Sequence, residues 1–213
     1  MTSRDGAKWL GPLQRVPAAL ASGADPNLPL GAEGPTLVEA ALLSRRALDA
    51  MLEAGADANA TSSRGWPVLL EALVEHGVGD GKPLAEALVA HGARWDTPAM
   101  MDIGGCPTSL PVLLALPRAH RFQLESVFYA LELWGADPSI TDQWGGTVGH
   151  HMAQQCYRLH YMEQLEKLGV AMDRVARTPD EADLAWAKLS GEWLPDYAGL
   201  TPMQYWHKHW GQP

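Results

Sequence analysis

The sequence predicts an all-α repeat solenoid of about five helix pairs, closed at its C-terminus by a helical cap that is not a repeat. Two observations lead to this prediction. A short phrase that begins with glycine recurs along the chain, and the segments between its copies have the apolar periodicity of amphipathic helices. A helix pair cannot bury its apolar face alone, so repeated pairs are expected to stack.

The recurring phrase marks predicted helix ends. Its glycines are separated by 32, 37, 43 and 34 residues, and its five copies are Gly23–Asn27, Gly55–Asn59, Gly92–Asp96, Gly135–Ser139 and Gly169–Asp173. Glycine best tolerates the left-handed conformation that ends a helix, and the Asp or Asn that follows favours a turn. We therefore expect Gly55 and Gly135 to be left-handed, and the longer spacings to contain loop insertions.

Two helices are predicted in each repeat. The helix before each glycine has its apolar residues three and four apart, as in segments 47–54, 84–91 and 124–134. A shorter helix precedes it, in segments 36–43, 67–74 and 109–116. These shorter segments are rich in Ala and Leu on more than one side, which predicts burial between neighbouring helices.

The C-terminal segment departs from the repeat. Residues 1–173 are predicted to form the repeats, and residues 174–213 an inserted helix with a capping half-repeat. Thr178 is expected to cap the inserted helix over 179–190, and a last helix over 201–210 closes the stack. Five aromatic residues are expected to form an apolar plug there: Trp186, Trp193, Tyr205, Trp206 and Trp210.

Composition narrows the classes of partner. The net charge of −9 argues against nucleic acid and anionic membranes, because phosphate contacts need clustered Lys and Arg. It favours a basic partner. Two cysteines are too few for a disulfide framework, and no apolar run approaches the roughly 20 residues of a membrane helix or resembles a secretion signal. We expect a cytoplasmic protein that is monomeric when free.

Two later phrases resemble the opening pattern of the ankyrin repeat, D-x-x-G-x-T-P-L. The better match is Asp196-x-x-Gly199-x-Thr201-Pro202-Met203, and Asp142-x-x-Gly145-x-Thr147 with His150 is a looser one. The resemblance covers roughly residues 12–173 and 196–210, although the tetrapeptide T-P-L-H is never complete. It implies stacked helix pairs with projecting finger loops. It also implies that His150 is the structural histidine that hydrogen-bonds between repeats.

Three histidine and cysteine side chains leave an alternative open. His150, Cys156 and His160 are residue types that bind zinc, and a metal-dependent enzyme could use them. The run from Gly77 to Lys82 imitates a phosphate loop, but it lacks the first glycine and the Ser or Thr after the lysine, and is predicted to be an interhelical turn. No nucleophile motif is present. We expect no catalytic activity, no cofactor and no metal.

The finger loops carry the candidate partner-binding residues. In an ankyrin-like stack these loops are 28–33, 60–66, 97–105 and 140–144. Aromatic and Arg side chains are enriched at interface hot spots, and Met suits adaptable apolar contact. The predicted contact residues are Arg64, Trp66, Trp95, Asp96, Met100, Met101, Asp102, Gln143 and Trp144. An alternative remains for Trp66 and Trp144, which could instead pack between neighbouring fingers.

The resemblance extends to function. Small acidic ankyrin-like proteins of bacteria include immunity proteins, which silence a toxin secreted by the same cell, for example through type VI secretion. Toxins that cut nucleic acids are usually basic, so a chain with a net charge of −9 would suit blockade of such an active site. The expected function is therefore protein binding, as an immunity or inhibitor protein. The first alternative is a general scaffold or regulatory adaptor, and the second is the metal-dependent enzyme.

Overall fold

The computed structural model describes residues 13–28, 36–119, 124–155, 158–191 and 193–211. The chain divides between Thr97 and Pro98 into two compact units, called unit 1 and unit 2 here. Loop 28–33 lies outside the described residues beyond Leu28, as does Cys156. The predicted boundary between residues 173 and 174 lies within unit 2 and stays a prediction.

Unit 1 is helical in its described part. Its helices are α1 (Val16–Ala21), α2 (Leu37–Ala41), α3 (Arg45–Glu53), α4 (Val68–Glu75) and α5 (Gly77–Ala90). The hydroxyls of Thr36 and Ser44 accept hydrogen bonds from backbone N–H groups in the first turns of α2 and α3. Helix α3 buries Leu48 and Met51 completely, so its predicted apolar stripe faces the core.

The glycine phrase forms a repeated turn in unit 1. Gly23, Gly55 and Gly92 have φ angles of +92°, +91° and +90° at the ends of their helices. Asn27 donates to the carbonyl of Gly55, and Asn59 donates in the same way to the carbonyl of Gly92. The phrase thus ends one helix and ties its turn to the next turn, which explains why glycine and asparagine recur together.

Helix α5 corrects one prediction. Residues 77–83 were expected to form a turn, but they are the first two turns of this helix, with Pro83 inside it. Gly81 makes this possible, because a Cβ at that position would lie 2.3 Å from the backbone oxygen of Ala72 in α4. Close approach of the two helices therefore outweighs the low helix propensity of the glycines and proline.

Unit 2 contains both strands and helices. Its elements are β1 (Pro98–Ile103), β2 (Cys106–Pro111), α6 (Val112–Ala119), α7 (Glu125–Glu132), α8 (Val148–Gln155), α9 (Leu159–Lys167), α10 (Glu181–Ser190) and α11 (Pro202–His209). Helix α8 packs against α6, α9 and α11, and α6 packs against both strands. The described chain as a whole forms eleven helices and two strands.

The antiparallel hairpin β1–β2 makes the predicted all-α class wrong. Met100 pairs with Ser109 and Met101 with Thr108, so the finger loop expected over 97–105 is largely strand. Its turn consists of Gly104 and Gly105, with φ angles of +64° and +86°. Two successive positive φ angles are what a two-residue hairpin turn requires. The chain is mostly helical, with one two-stranded sheet.

A second kind of turn recurs in both units. Gly65, Gly145 and Gly199 all have a φ of +75°. In the first two copies the chain closes an antiparallel bridge, between Thr61 and Pro67 and between Thr141 and Thr147. Gly145 and Gly199 belong to the two phrases that resemble the ankyrin pattern, and Gly65 lies two residues before Pro67 just as they lie two residues before Thr147 and Thr201. Similar phrases therefore adopt a similar backbone.

The C-terminal helices follow the prediction approximately. Helix α10 begins at Glu181 with Asp180 as its N-cap, so the expected cap Thr178 is wrong by two residues. Helix α11 begins after Thr201, whose hydroxyl accepts from the backbone N–H of Gln204. Of the predicted aromatic plug, Tyr205 and Trp206 are buried, Trp193 is half-buried, and Trp186 and Trp210 are exposed.

Candidate protein-binding surfaces

Four predicted contact residues lie in unit 1. The guanidinium of Arg64 lies 4.6 Å from the centre of the Trp66 ring, and it donates to Glu71 and Glu75 at 3.0 and 2.7 Å. Burial opposes the charge of Arg64, but the hydrogen bonds and attraction of the two carboxylates outweigh it and raise the pKa of Arg64. Arg64 is therefore held in place by its own chain.

Beside Arg64 lies a cavity of about 190 Å³. Its lining includes the buried carboxylates of Glu39 and Glu71. Glu39 accepts long hydrogen bonds from the backbone N–H and hydroxyl of Ser63, at 3.3 and 3.4 Å. No sequence pattern indicated this cavity, because the two glutamates come from different helices, α2 and α4.

Trp95 and Asp96 differ in exposure. The side chain of Trp95 is buried, whereas Asp96 is exposed and forms an ion pair with Arg94 at 2.6 Å. The hydrogen bond from Arg94 lowers the pKa of Asp96. Trp95 therefore contributes to the packing of unit 1, and Asp96 is available at its surface.

The hairpin separates the two adjacent methionines. Met100 is 47% exposed, while Met101 is 6% exposed, because successive residues of a strand point to opposite faces. Asp102 lies on the same face as Met100 and is also exposed, and its carboxylate accepts from the backbone N–H of Gly105 at 2.7 Å. The outer face of the hairpin thus presents Met100 and Asp102, and its inner face buries Met101.

Gln143 and Trp144 also differ in exposure. Gln143 is exposed, whereas Trp144 is 4% exposed. The guanidinium of Arg177 lies 4.7 Å from the Trp144 ring centre, and the backbone N–H of Arg177 donates to the Trp144 carbonyl at 2.7 Å. Trp144 therefore packs within unit 2 against Arg177, which belongs to none of the predicted finger loops.

Helix α10 presents apolar residues to solvent. Ala182, Ala185, Trp186 and Leu189 are all exposed and follow the spacing i, i+3, i+4, i+7, which places them on one helix face. Trp186 is 62% and Leu189 84% exposed. The spacing is visible in the sequence, but the segment was interpreted there as a cap.

A groove joins this helix to the hairpin. It has a volume of about 360 Å³ and is lined by Met100, Pro107, Thr108, Ser109, Gln143, Ser190 and Gly191. Ser190 lies one turn after Trp186, and its hydroxyl donates to the Trp186 carbonyl at 2.8 Å. The C-terminal end of α10 therefore borders the groove. We use the name hairpin–α10 surface for the exposed part of this groove together with the exposed Trp186 and Leu189 of α10: Met100, Pro107, Ser109, Gln143, Trp186, Leu189, Ser190 and Gly191.

A buried polar cluster lies elsewhere in unit 2. Arg118 of α6 donates through Nε to Nδ1 of His151 at 2.7 Å, and Nε2 of His151 lies 2.9 Å from Oδ2 of Asp142. An arginine can only donate, so Nδ1 of His151 accepts and its Nε2 carries the proton given to Asp142. The hydroxyl of Tyr197 donates to the same carboxylate oxygen.

The cluster fixes the charge states of its members. Burial, together with the nearby charge of Arg118, lowers the pKa of His151 despite the attraction of Asp142. Burial acts against the Asp142 carboxylate, but its hydrogen bonds from His151 and Tyr197 prevail and lower its pKa. Burial also raises the pKa of Tyr197. The side chains of His151 and Asp142 are completely enclosed and contact no solvent. Their hydrogen bonds therefore act within the fold.

His150 forms a second connection. The backbone N–H of Thr147 donates to its Nδ1 at 3.0 Å, so Nε2 carries the proton and donates to the carbonyl of Leu200 at 3.0 Å. Burial lowers the pKa of His150 to about 4. This bond spans fifty residues and connects α8 to the chain just before α11.

The described residues show no cluster of three metal-binding side chains. Both ring nitrogens of His150 are engaged in hydrogen bonds. The ring centres of His160 and Tyr161 lie 4.1 Å apart with the rings tilted by 40°, and Cys156 lies outside the described residues. His150 is therefore not arranged as a metal ligand. Among the described helices, none combines the length and apolar character needed to cross a bilayer.

No protein-family model matches the sequence, and no curated protein matches it significantly.

Proposed function

We propose that this chain is a protein-binding module and that the hairpin–α10 surface is its contact area. The exposed stripe of α10 is the observation that carries the proposal. Trp186 and Leu189 remain largely exposed although unit 2 buries Trp144, Tyr205 and Trp206. Exposed apolar patches with a polar rim are typical of interaction sites.

The composition of this surface fits a protein ligand. A large indole and a leucine on one helix face can enter an apolar groove of a partner, as amphipathic helices do. Met100 offers an adaptable apolar side chain at the other end of the groove. Ser109, Gln143 and Ser190 supply hydrogen-bonding groups around these anchors. Apolar anchors with a polar surround form the usual anatomy of an interface.

We further propose that the chain belongs to the ankyrin-repeat family as a divergent member. The common φ of Gly65, Gly145 and Gly199 supports this, as does the bond from His150 to the carbonyl before Thr201-Pro202. Gly145, Gly199 and the His150 bond lie at the two phrases that resemble the ankyrin pattern, and Gly65 has the same φ as these two glycines. The proposed setting is a cytoplasmic chain that is monomeric until it meets its partner.

The proposed partner is a basic protein, and the proposed role is inhibition of a toxin as an immunity protein. The net charge of −9 supports a basic partner, because opposite net charges accelerate association. Inhibition differs from the adaptor alternative in one respect. An inhibitor abolishes the partner's activity when it is present in equal amount, and an adaptor leaves that activity unchanged.

The experiment has two stages. The chain is first used to capture its partner from the native cell, with the variant Trp186→Ser, Leu189→Ser as the matched bait. A partner retained by the wild type and lost by the variant supports the hairpin–α10 surface. Equal capture by both baits excludes this surface.

The second stage tests inhibition. The purified partner is assayed alone and with an equal amount of the chain, and it is expressed in a test cell with and without the chain. Loss of toxicity and activity supports the immunity role. Full activity in the complex contradicts it and supports an adaptor.

A further inference from the structure

The cavity beside Arg64 in unit 1 is rich in acidic groups. It has a volume of about 190 Å³, and its ionisable lining consists of Arg64, Glu39, Glu71, Glu75 and His76. Helix α2 supplies Glu39 and helix α4 supplies the other two acids, and these two helices pack against each other. Three carboxylates therefore line the same cavity as a single guanidinium.

Arg64 is paired with two of these acids. Its Nε donates to Oε1 of Glu71 at 3.0 Å, and its Nη2 donates to Oε2 of the same carboxylate and to Oε1 of Glu75 at 2.7 Å. The guanidinium also lies over the ring of Trp66. Because two negative charges surround this one positive charge, the group as a whole does not repel a second cation.

Glu39 has no cationic partner among the described residues. It is only 6% exposed, and its two oxygens accept from the backbone N–H and the hydroxyl of Ser63 at 3.3 and 3.4 Å. Ordinary hydrogen bonds of these kinds are about 2.7–3.0 Å long, so both contacts are weak. A buried carboxylate needs strong hydrogen bonds or a counter-ion to offset its lost hydration. The described part of the chain supplies Glu39 with neither.

The cavity has room for a guanidinium on an alkyl chain. A cavity of about 150 Å³ holds a benzene molecule, so one of about 190 Å³ holds the smaller guanidinium group. Leu42 and Leu43 also line the cavity and offer apolar surface to the methylene groups of such a ligand. Ser63 and Arg64 are exposed, so the cavity can be reached from solvent.

A guanidinium suits this cavity better than an ammonium or a metal ion. It is more weakly hydrated than an ammonium, so its transfer out of water costs less, and its planar N–H groups can bond both oxygens of one carboxylate. Arg64 already binds Glu71 in this way. A metal ion is disfavoured, because the described residues contain no cluster of three metal-binding side chains.

We propose that this cavity binds an alkyl guanidinium group, that Glu39 is its ion-pair partner, and that an arginine side chain of the basic partner supplies it. The binding of the guanidinium depends on the cavity alone. Its assignment to a protein partner rests on the proposed function, because complementary charge is what directs a basic protein to this acidic chain.

Titration of the free chain with n-butylguanidinium tests the site, and n-butylurea serves as a neutral probe of similar shape. NMR follows the backbone amides. The guanidinium should shift the amides of Glu39, Leu42, Leu43 and Ser63 with a dissociation constant on the order of 1 mM, as expected for so small a ligand. The urea should bind at least about tenfold more weakly, because it forms no ion pair. No shift at these residues, or equal binding of the urea, overturns the proposal.

Two matched substitutions isolate the ion pair. Glu39→Gln keeps the length of the side chain and removes its charge, so n-butylguanidinium should bind at least about tenfold more weakly. Glu53→Gln makes the same change at an exposed acid of α3 outside the cavity and should bind like the wild type. Wild-type affinity in a folded Glu39→Gln chain contradicts the site. If that variant does not fold, the titration of the unaltered chain decides alone.

Partner binding shows where the guanidinium comes from. The captured partner is titrated with the wild type, with Glu39→Gln and with the variant Trp186→Ser, Leu189→Ser. Loss of at least about tenfold in Glu39→Gln alone supports the partner's arginine and contradicts the hairpin–α10 surface. Loss in the other variant alone supports that surface and contradicts the partner's arginine, and a cavity that still binds the probe is then a site for free guanidinium compounds. Loss in both variants supports both proposals.

Discussion

His151 donates through Nε2 to Asp142 at 2.9 Å, and both side chains are completely enclosed. Oδ1 of the same carboxylate accepts the backbone N–H groups of Trp144 and Gly146, both at 2.8 Å. One buried acid therefore organises a turn and orients a histidine of α8.

Removing this acid should be costly. Asp142→Ala leaves two backbone N–H groups, the His151 Nε2–H and the Tyr197 hydroxyl without their acceptor, so the free energy of unfolding should fall by about 3 kcal/mol or more. Urea denaturation followed by circular dichroism measures this change. Asp137→Ala is the control. This exposed carboxylate accepts hydrogen bonds from the backbone N–H and the hydroxyl of Ser139, so its removal should lower the free energy of unfolding by no more than about 1 kcal/mol. Equal effects of the two substitutions would contradict the organising role.

Acid should destabilise the protein between pH 6.5 and pH 4. The pKa of His150 is lowered to about 4 in the folded chain, so the unfolded chain binds the proton more readily in this range. Stability from this residue is fully present above pH 6.5, falls as the pH decreases, and is lost by about pH 4. The total change for His150 is about 3 kcal/mol. Urea midpoints at pH 7.5, 5.5 and 4.5 test it, and a constant midpoint contradicts it.

Substitution of a left-handed glycine should lower the free energy of unfolding, and by more when the new residue is β-branched. Gly135 has a φ of +67°, and a Cβ there would meet no atom within 4 Å, so only the backbone conformation is at stake. Gly135→Val should cost about 1–2 kcal/mol or more, because β-branched residues rarely adopt this conformation. Gly135→Asn should cost less. Melting temperatures compare the two, and a valine variant that melts like the wild type would refute the assignment.

The two methionines of β1 should behave differently. Met101→Ala removes a buried side chain and should lower the free energy of unfolding by about 2 kcal/mol or more. Met100→Ala removes a half-exposed side chain and should change it by less than about 0.5 kcal/mol. Urea denaturation of each single variant measures both values. Similar losses would show that the hairpin does not separate the two residues as described.

The sequence predicted those features that depend on local conformation. Gly55 and Gly135 are left-handed at helix ends, as the recurrent phrase indicated, because the turn that ends each helix needs a positive φ, which glycine adopts without strain. The hairpin was missed although Gly104-Gly105 is a typical hairpin turn. Two adjacent methionines show no alternation of apolar and polar residues. Both strands pack against α6, and Met101 is buried while Met100 is exposed.

The first residue of α5 and the exposure of the candidate contact residues depend on tertiary contacts, which the sequence pattern does not show. Glycines and a proline disfavour a helix locally, but the close approach at Gly81 compensates for them. Trp95 and Trp144 are of a residue type that is common at interfaces. An aromatic residue after a turn can, however, either contact a partner or pack in the core. Both tryptophans are buried in the folded chain, which the sequence alone does not reveal. The apolar stripe of α10 is visible in the sequence, and its Trp186 and Leu189 are exposed in the fold.

The central claim is that the chain binds a protein through the hairpin–α10 surface. The most direct measurement is the dissociation constant of the captured partner for the wild type and for the variant Met100→Ser, Trp186→Ser, Leu189→Ser, with the exposed Val175→Ser as control. We expect the triple variant to bind at least about thirtyfold more weakly while its urea midpoint stays at the wild-type value. Wild-type affinity in a folded triple variant would contradict the claim.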